Sequence, residues 1–151
     1  MLMKNLLCTL LFISLSLTLN AQGKEKTISD KKCAAVEGLN YTKKDDLLIT
    51  EVEFSDWLRR GYSESFSNTT VTLSIVFDKI KGACCSKLVI ADASEMSDKQ
   101  ANYLISVLIK YPWLKKVKFG EKEKVKYLNI SISNDEGGKT KAVFLQDPAK
   151  K

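Results

Sequence analysis

The chain has 151 residues, 24 basic and 18 acidic side chains, a net charge of +6 and no histidine. That length suits one domain with a core of ordinary size, and the missing histidine removes the commonest proton-transfer group and a common zinc ligand. The basic excess lies in lysines interleaved with acids, with arginine only at Arg59 and Arg60; phosphate-reading surfaces favour arginine, so nucleic-acid binding is not expected, while weak attraction to an anionic surface fits the charge.

Lys4 precedes an uncharged, mostly apolar run of 14 residues at 6–19, and Asn20-Ala21-Gln22 then offers a small residue for cleavage. This layout predicts a secretory signal peptide over residues 1–21, cut after Ala21. The run is shorter than the roughly 20 residues a spanning helix needs. Cys8 follows Leu7, not a small residue, which argues against a lipoprotein cleavage site. The expected product is exported, periplasmic or secreted. Without Lys4 it keeps 23 basic against 18 acidic side chains, a net +5.

Residues 22–46 are polar and lysine-rich, and read as an N-terminal arm with a short helix at 30–39. Beyond the cleavage point three cysteines remain: Cys33, Cys84 and Cys85. An oxidising compartment favours a bridge. The expected one joins Cys33 to Cys84 or to Cys85, leaving one thiol over; a bond between the adjacent Cys84 and Cys85 would close a strained ring. The spacing is not C-x-x-C and makes a poor zinc set. These cysteines read as structural.

Residues 47–148 form the expected domain. LLITEVEF at 47–54 reads as a strand, and the following segment holds a helical turn with Trp57 and Leu58 facing inward. At 69–77, Val71, Leu73, Ile75 and Phe77 alternate with Thr70, Thr72 and Ser74, the pattern of a half-buried strand. Asp78 to Gly82 supplies a turn. A second strand at 83–91 is expected to place Cys84, Leu88 and Ile90 on one face and Cys85, Lys87 and Val89 on the other.

Ser97 with Gln100 is a capping-box arrangement, and Asp98 sits at the positive end of the helix it opens. Ala101, Leu104, Ile105, Leu108 and Ile109 form its apolar stripe, and Pro112 ends it near Lys110. Residues 124–133 alternate again, with Leu128, Ile130 and Ile132 on one face. A loop at 134–138 leads to a last strand at 141–146. The reading is an α+β domain: an antiparallel sheet with one main helix packed on one face.

No catalytic constellation stands out. The carboxylates at Asp45-Asp46, Asp92, Glu95 and Asp135-Glu136 fall in turns or strand ends. No serine sits in a nucleophile elbow, and Gly137-Gly138 closes a hairpin and opens no phosphate-binding helix. No metal, cofactor or small-molecule substrate is expected, and the chain does not read as an enzyme.

The order from hairpin to Ser97-Asp98 helix, Trp113, basic turn and alternating strand resembles the C-terminal domain of TonB-type energy transducers over residues 69–132. Its specific points are the turn from Phe77 to Gly82, Asp98, Trp113, Gly120 and Val125. The chain departs from the family in placing Pro112 before the tryptophan and Leu114 after it. It also lacks a proline near the close of the 124–133 strand, and the expected cleavage leaves no membrane helix or proline-rich spacer. The resemblance implies a module that binds an extended segment of an envelope or outer-membrane protein by strand addition. Lys126, Tyr127 and Asn129 would flank such an edge, unless the 141–146 strand pairs there and blocks it. A second reading is a small secreted thiol or hydrolytic protein built around Cys84 and Cys85.

Overall fold

The computed structural model describes residues 24–64, 66 and 69–146; the expected signal peptide lies outside them. Strands β3 (Val71–Asp78) and β4 (Gly82–Ile90), counted after two short strands of the arm, form the expected hairpin. Its turn is closed by the Asp78 carboxylate, which accepts from Ile80 N at 2.8 Å and Lys81 N at 3.0 Å. Gly82 leaves the turn at φ 90°, which glycine adopts without steric cost. Strand β5 (Val125–Asn134) pairs antiparallel with the other side of β3, and β6 (Thr140–Phe144) pairs antiparallel with β5.

The arm is built into the sheet. Strand β1 (Lys26–Ser29) pairs antiparallel with the end of β4, and β2 (Asn40–Tyr41) runs parallel to the start of β5. Among the described residues the sheet has six strands in the order β1-β4-β3-β5-β2, with β6 also on β5. It is therefore mixed, where a purely antiparallel sheet was expected. The short helix expected at 30–39 is instead a series of turns, with Gly38 at φ 79°.

Among the described residues two α-helices form where one main helix was expected. Helix α1 (Glu51–Gly61) replaces the strand expected at 47–54. Thr50 opens it with a full capping box: Thr50 Oγ1 accepts from Glu53 N, and the Glu53 carboxylate accepts from Thr50 N. Phe54 and Leu58, one turn apart, are buried, and Trp57 packs on Phe54 and Tyr111. Helix α2 (Asp98–Ile109) begins at the expected Ser97–Gln100 box and stops before Pro112. Ala101, Leu104, Val107 and Leu108 are buried, while Ile109 is exposed.

Both helices contribute to one core, on the sheet face carrying Val71, Leu73, Ile75, Phe77, Leu128, Ile130 and Ile132. Cys85, Leu88 and Ile90 join them, which corrects the expected split of β4. The register slips between Ser74 and Ile75, whose partners are Lys87 and Cys85, so Ser86 is the extra residue of a bulge. A bulge inverts the alternation on one side of itself. Cys85 therefore faces the core, and Cys84 faces away.

That second face is covered as well. Strands β1 and β2 lie at opposite sides of the sheet, so residues 30–39 must cross it. Four strand spacings come to about 19 Å, within the roughly 33 Å that ten residues can reach. The Cys33–Cys84 disulfide fixes the crossing segment over β4, the strand next to β1, against the face opposite the helices. Val76 on that face is only 1% exposed. The arm is a strap across the back of the sheet.

Candidate functional site

The expected binding edge was β5, and the structure fills both of its sides. One side pairs with β3; the other takes β2 at Lys126 and Tyr127 and β6 from Ile130 to Asn134. Thr42 N donates to Tyr127 O at 2.8 Å and Leu145 N to Asn129 O at 2.9 Å, extending both ladders toward each other. Tyr127 packs edge-on against Tyr41, and the Asn129 side-chain oxygen accepts from Ser74 Oγ at 2.7 Å. Of the three expected site residues, Tyr127 and Asn129 lie on the strap face and Lys126 on the helix face. They do not form one surface.

The outer edge of β6 is also taken, by a helix. Glu51, Ser55 and Arg59 recur every four residues along α1 and so share one side of it. Ser55 Oγ accepts from Ala142 N at 2.9 Å, Glu51 Oε1 accepts from Phe144 N at 2.8 Å, and Arg59 Nη1 donates to Thr140 O at 2.8 Å. These side chains replace a neighbouring strand, one of the ways a sheet edge is closed against other chains.

Strand β1 is arranged differently. Asp30 N donates to Ser86 O, its partner by extension of the register. In an antiparallel pair the residues that exchange hydrogen bonds alternate with those that do not. Ile28 and Lys26 therefore turn their backbone inward to β4, and Thr27 and Ser29 turn theirs outward. Thr27 and Ser29 are exposed. Lys26 forms an ion pair with Asp98 at the start of α2, which holds the strand in place.

Where β2 and β6 leave a gap along β5, a cavity of about 940 Å³ opens. Asp46, Leu47, Glu51, Lys126 and Phe144 contribute to its lining. Lys126 is 2% exposed. Its Nζ meets Asp46 Oδ2 at 2.8 Å and Glu123 Oε2 at 3.0 Å, and donates to Lys118 O at 3.1 Å. Burial alone would lower its pKa, but the hydrogen bonds and charges of Asp46 and Glu123 outweigh burial and raise it. The ammonium is therefore a fixed cation at neutral pH and no nucleophile. The Lys126 hydrogen bond holds the Asp46 carboxyl below its usual range despite partial burial. Glu123 is lowered first by the backbone N–H of Gly120 and then by Lys126.

This triad ties the 3-10 turn at Lys44–Asp46 and the loop before β5 to the sheet. Lys126→Met should cost about 2–3 kcal/mol; losing one partner of a fully buried pair costs about 3–5, and here both carboxylates regain some water. Asp46 and Glu123 have folded pKa values below their unfolded ones, so their contribution is present above about pH 4 and fades as pH falls through the lowered values. Urea unfolding of parent and mutant should therefore differ at about pH 7 and converge in acid. Equal midpoints at neutral pH would show that the triad contributes nothing.

Among the described residues the cysteines resolve into one bridge and one thiol: Cys33–Cys84, with Cys85 buried and unbridged. Burial pushes the Cys85 thiol up to about 12, against a lowering contact with the Lys87 backbone. It is a thiol, not a thiolate, at neutral pH. Among the described residues no group of three His, Cys, Asp or Glu side chains is placed to hold a metal ion, and no helix is long and apolar enough to cross a membrane.

The α1 edge closure and the position of the open edge were not read from the sequence. The spacing of Glu51, Ser55 and Arg59 was a visible signal only once the segment was known to be helical. Comparison of the chain with family models, with curated proteins and with solved structures finds no match.

Proposed function

We propose that this protein is an exported, non-enzymatic binding module of TonB C-terminal type, which takes up an extended segment of an envelope protein by strand addition at β1. The single observation carrying this reading is the contrast between the sheet's edges. On the β6 side, three α1 side chains occupy the outward backbone groups. On the β1 side, Thr27 and Ser29 present theirs to solvent. Strand addition draws on such groups, with side chains setting specificity.

The TonB-type assignment is supported by the order of elements. The β3–β4 hairpin, the Ser97-capped α2, Trp113 at its end and the return into β5 keep the sequence that the resemblance requires. The arm strands and α1 lie outside the matching stretch of 69–132. The disulfide and the lack of a spanning helix among the described residues fit a periplasmic or secreted setting.

A proline at Thr27 tests the edge directly. The Thr27 N–H points outward, so Thr27→Pro removes a donor that β4 does not use, and proline is tolerated on an edge strand. A photo-crosslinker at Thr27 in the exported chain first identifies the partner in envelope extract. Binding of that partner should then fall at least about tenfold in Thr27→Pro and stay within about twofold in Thr27→Val. If the proline variant folds and binds as the parent does, the edge is not the binding site.

A further inference from the structure

The loops at one end of the sheet carry a marked excess of positive charge. The β3–β4 turn lies beside the segment leading into β5: Lys79 N donates to Lys124 O at 3.0 Å, and Lys79 Nζ donates to Gly120 O at 3.3 Å. Residues 78–82 and 115–124 together hold seven lysines against three acids, a net +4 of the chain's +6. Two of the three acids are turned to internal tasks. Asp78 caps the hairpin turn, and Glu123 binds Gly120 N and Lys126. Lys81, Lys118, Lys122 and Lys124 are all exposed.

At the apex of the turn, between Lys79 and Lys81, sits Ile80, 86% exposed. Lys79 is held beside it, its ammonium 5.0 Å from the centre of the Phe119 ring. A branched aliphatic side chain at a hairpin tip, ringed by lysines, matches a partner with negative charge at its surface and hydrocarbon just beneath. A nucleic acid offers the charge without the hydrocarbon, and this end has no arginine to read phosphate.

We propose that this end of the sheet docks on an anionic phospholipid surface, with the lysines on the headgroups and Ile80 inserted between them. Polybasic segments are attracted to anionic leaflets by about fivefold in affinity per lysine near the surface, and inserted apolar side chains add to this. The proposal is independent of strand addition at β1, which uses a different part of the sheet.

The test is flotation of the exported chain with vesicles of phosphatidylcholine alone or mixed equally with phosphatidylglycerol. Binding should be at least about tenfold stronger to the mixed vesicles and should fall with added salt. The variant Lys81→Gln/Lys118→Gln/Lys122→Gln/Lys124→Gln should lose about a hundredfold or more. Ile80→Ser should lose several-fold while keeping the salt dependence. All five side chains are exposed, so unchanged melting temperatures check that the variants fold, and the parent's salt titration stands without any variant. Equal binding to both vesicles overturns the proposal, as does full binding by the four-lysine variant. Tighter binding to a single-stranded oligonucleotide or to polyglutamate at the same ionic strength also overturns it, in favour of a nucleic-acid or acidic-protein partner.

Discussion

Trp113→Ala is expected to lower stability by about 3–5 kcal/mol, the range for truncating a buried aromatic to alanine. Trp113 is 1% exposed, with ring centroids of Tyr111, Phe54 and Phe77 at 4.7, 5.0 and 5.2 Å. These neighbours come from the end of α2, from α1 and from β3, so one ring joins three elements. Its indole N–H donates to Leu108 O at 2.8 Å, at the last turn of α2 where carbonyls lack helical partners. Alanine would leave a cavity the size of the ring and remove the indole's hydrogen bond to a carbonyl that also accepts from Tyr111 N. Urea titration of parent and mutant measures the loss. A mutant as stable as the parent but unable to bind a partner would instead make Trp113 a recognition residue.

Breaking the strap should cost nearly as much. The Cys33–Cys84 bond spans 51 residues, for which the chain-entropy estimate is roughly 4 kcal/mol. Cys33→Ser in oxidising buffer should therefore melt on the order of 15 °C below the parent. Reduction of the parent should bring it to the same temperature. Because Cys85 is buried on the other face, it cannot replace Cys84 without dismantling the bulge. A Cys33→Ser protein that melts like the parent would show that the strap is held by other contacts.

The central elements were legible because their signals are local. β3 and β5 alternate cleanly, the β3–β4 turn carries Asp78 and Gly82, and α2 has both a capping box and a stopping proline. The first helix shows how two local signals can compete. LLITEVEF alternates like a strand, yet Thr50-x-x-Glu53 is a capping box and Phe54 to Leu58 is helical spacing. The box prevails, and the helix it opens buries Phe54 and Leu58 and turns Glu51, Ser55 and Arg59 to β6. Strands β1 and β2 left no trace, being four and two residues long with partners far along the chain. Lys126 shares the parity of Leu128, Ile130 and Ile132, so its burial was implied by alternation; its counter-charge, Asp46, was not. The bulge at Ser86 is likewise invisible in sequence, and it decides which cysteine is bridged.

The strap also orders events in time. Strands β3 and β4 are joined by a short turn and can pair within about 1–10 μs, whereas disulfide chemistry takes seconds to hours. Strands β1 and β2 must each find partners that appear much later in the chain. The chain can thus assemble its core first, with the back of the sheet still bare. On these timescales the hairpin is expected to form before Cys33 is oxidised, with Cys85 in the core and Cys84 on the outer face. That order would leave the choice between adjacent cysteines to the register of the hairpin and not to the sequence of oxidation events.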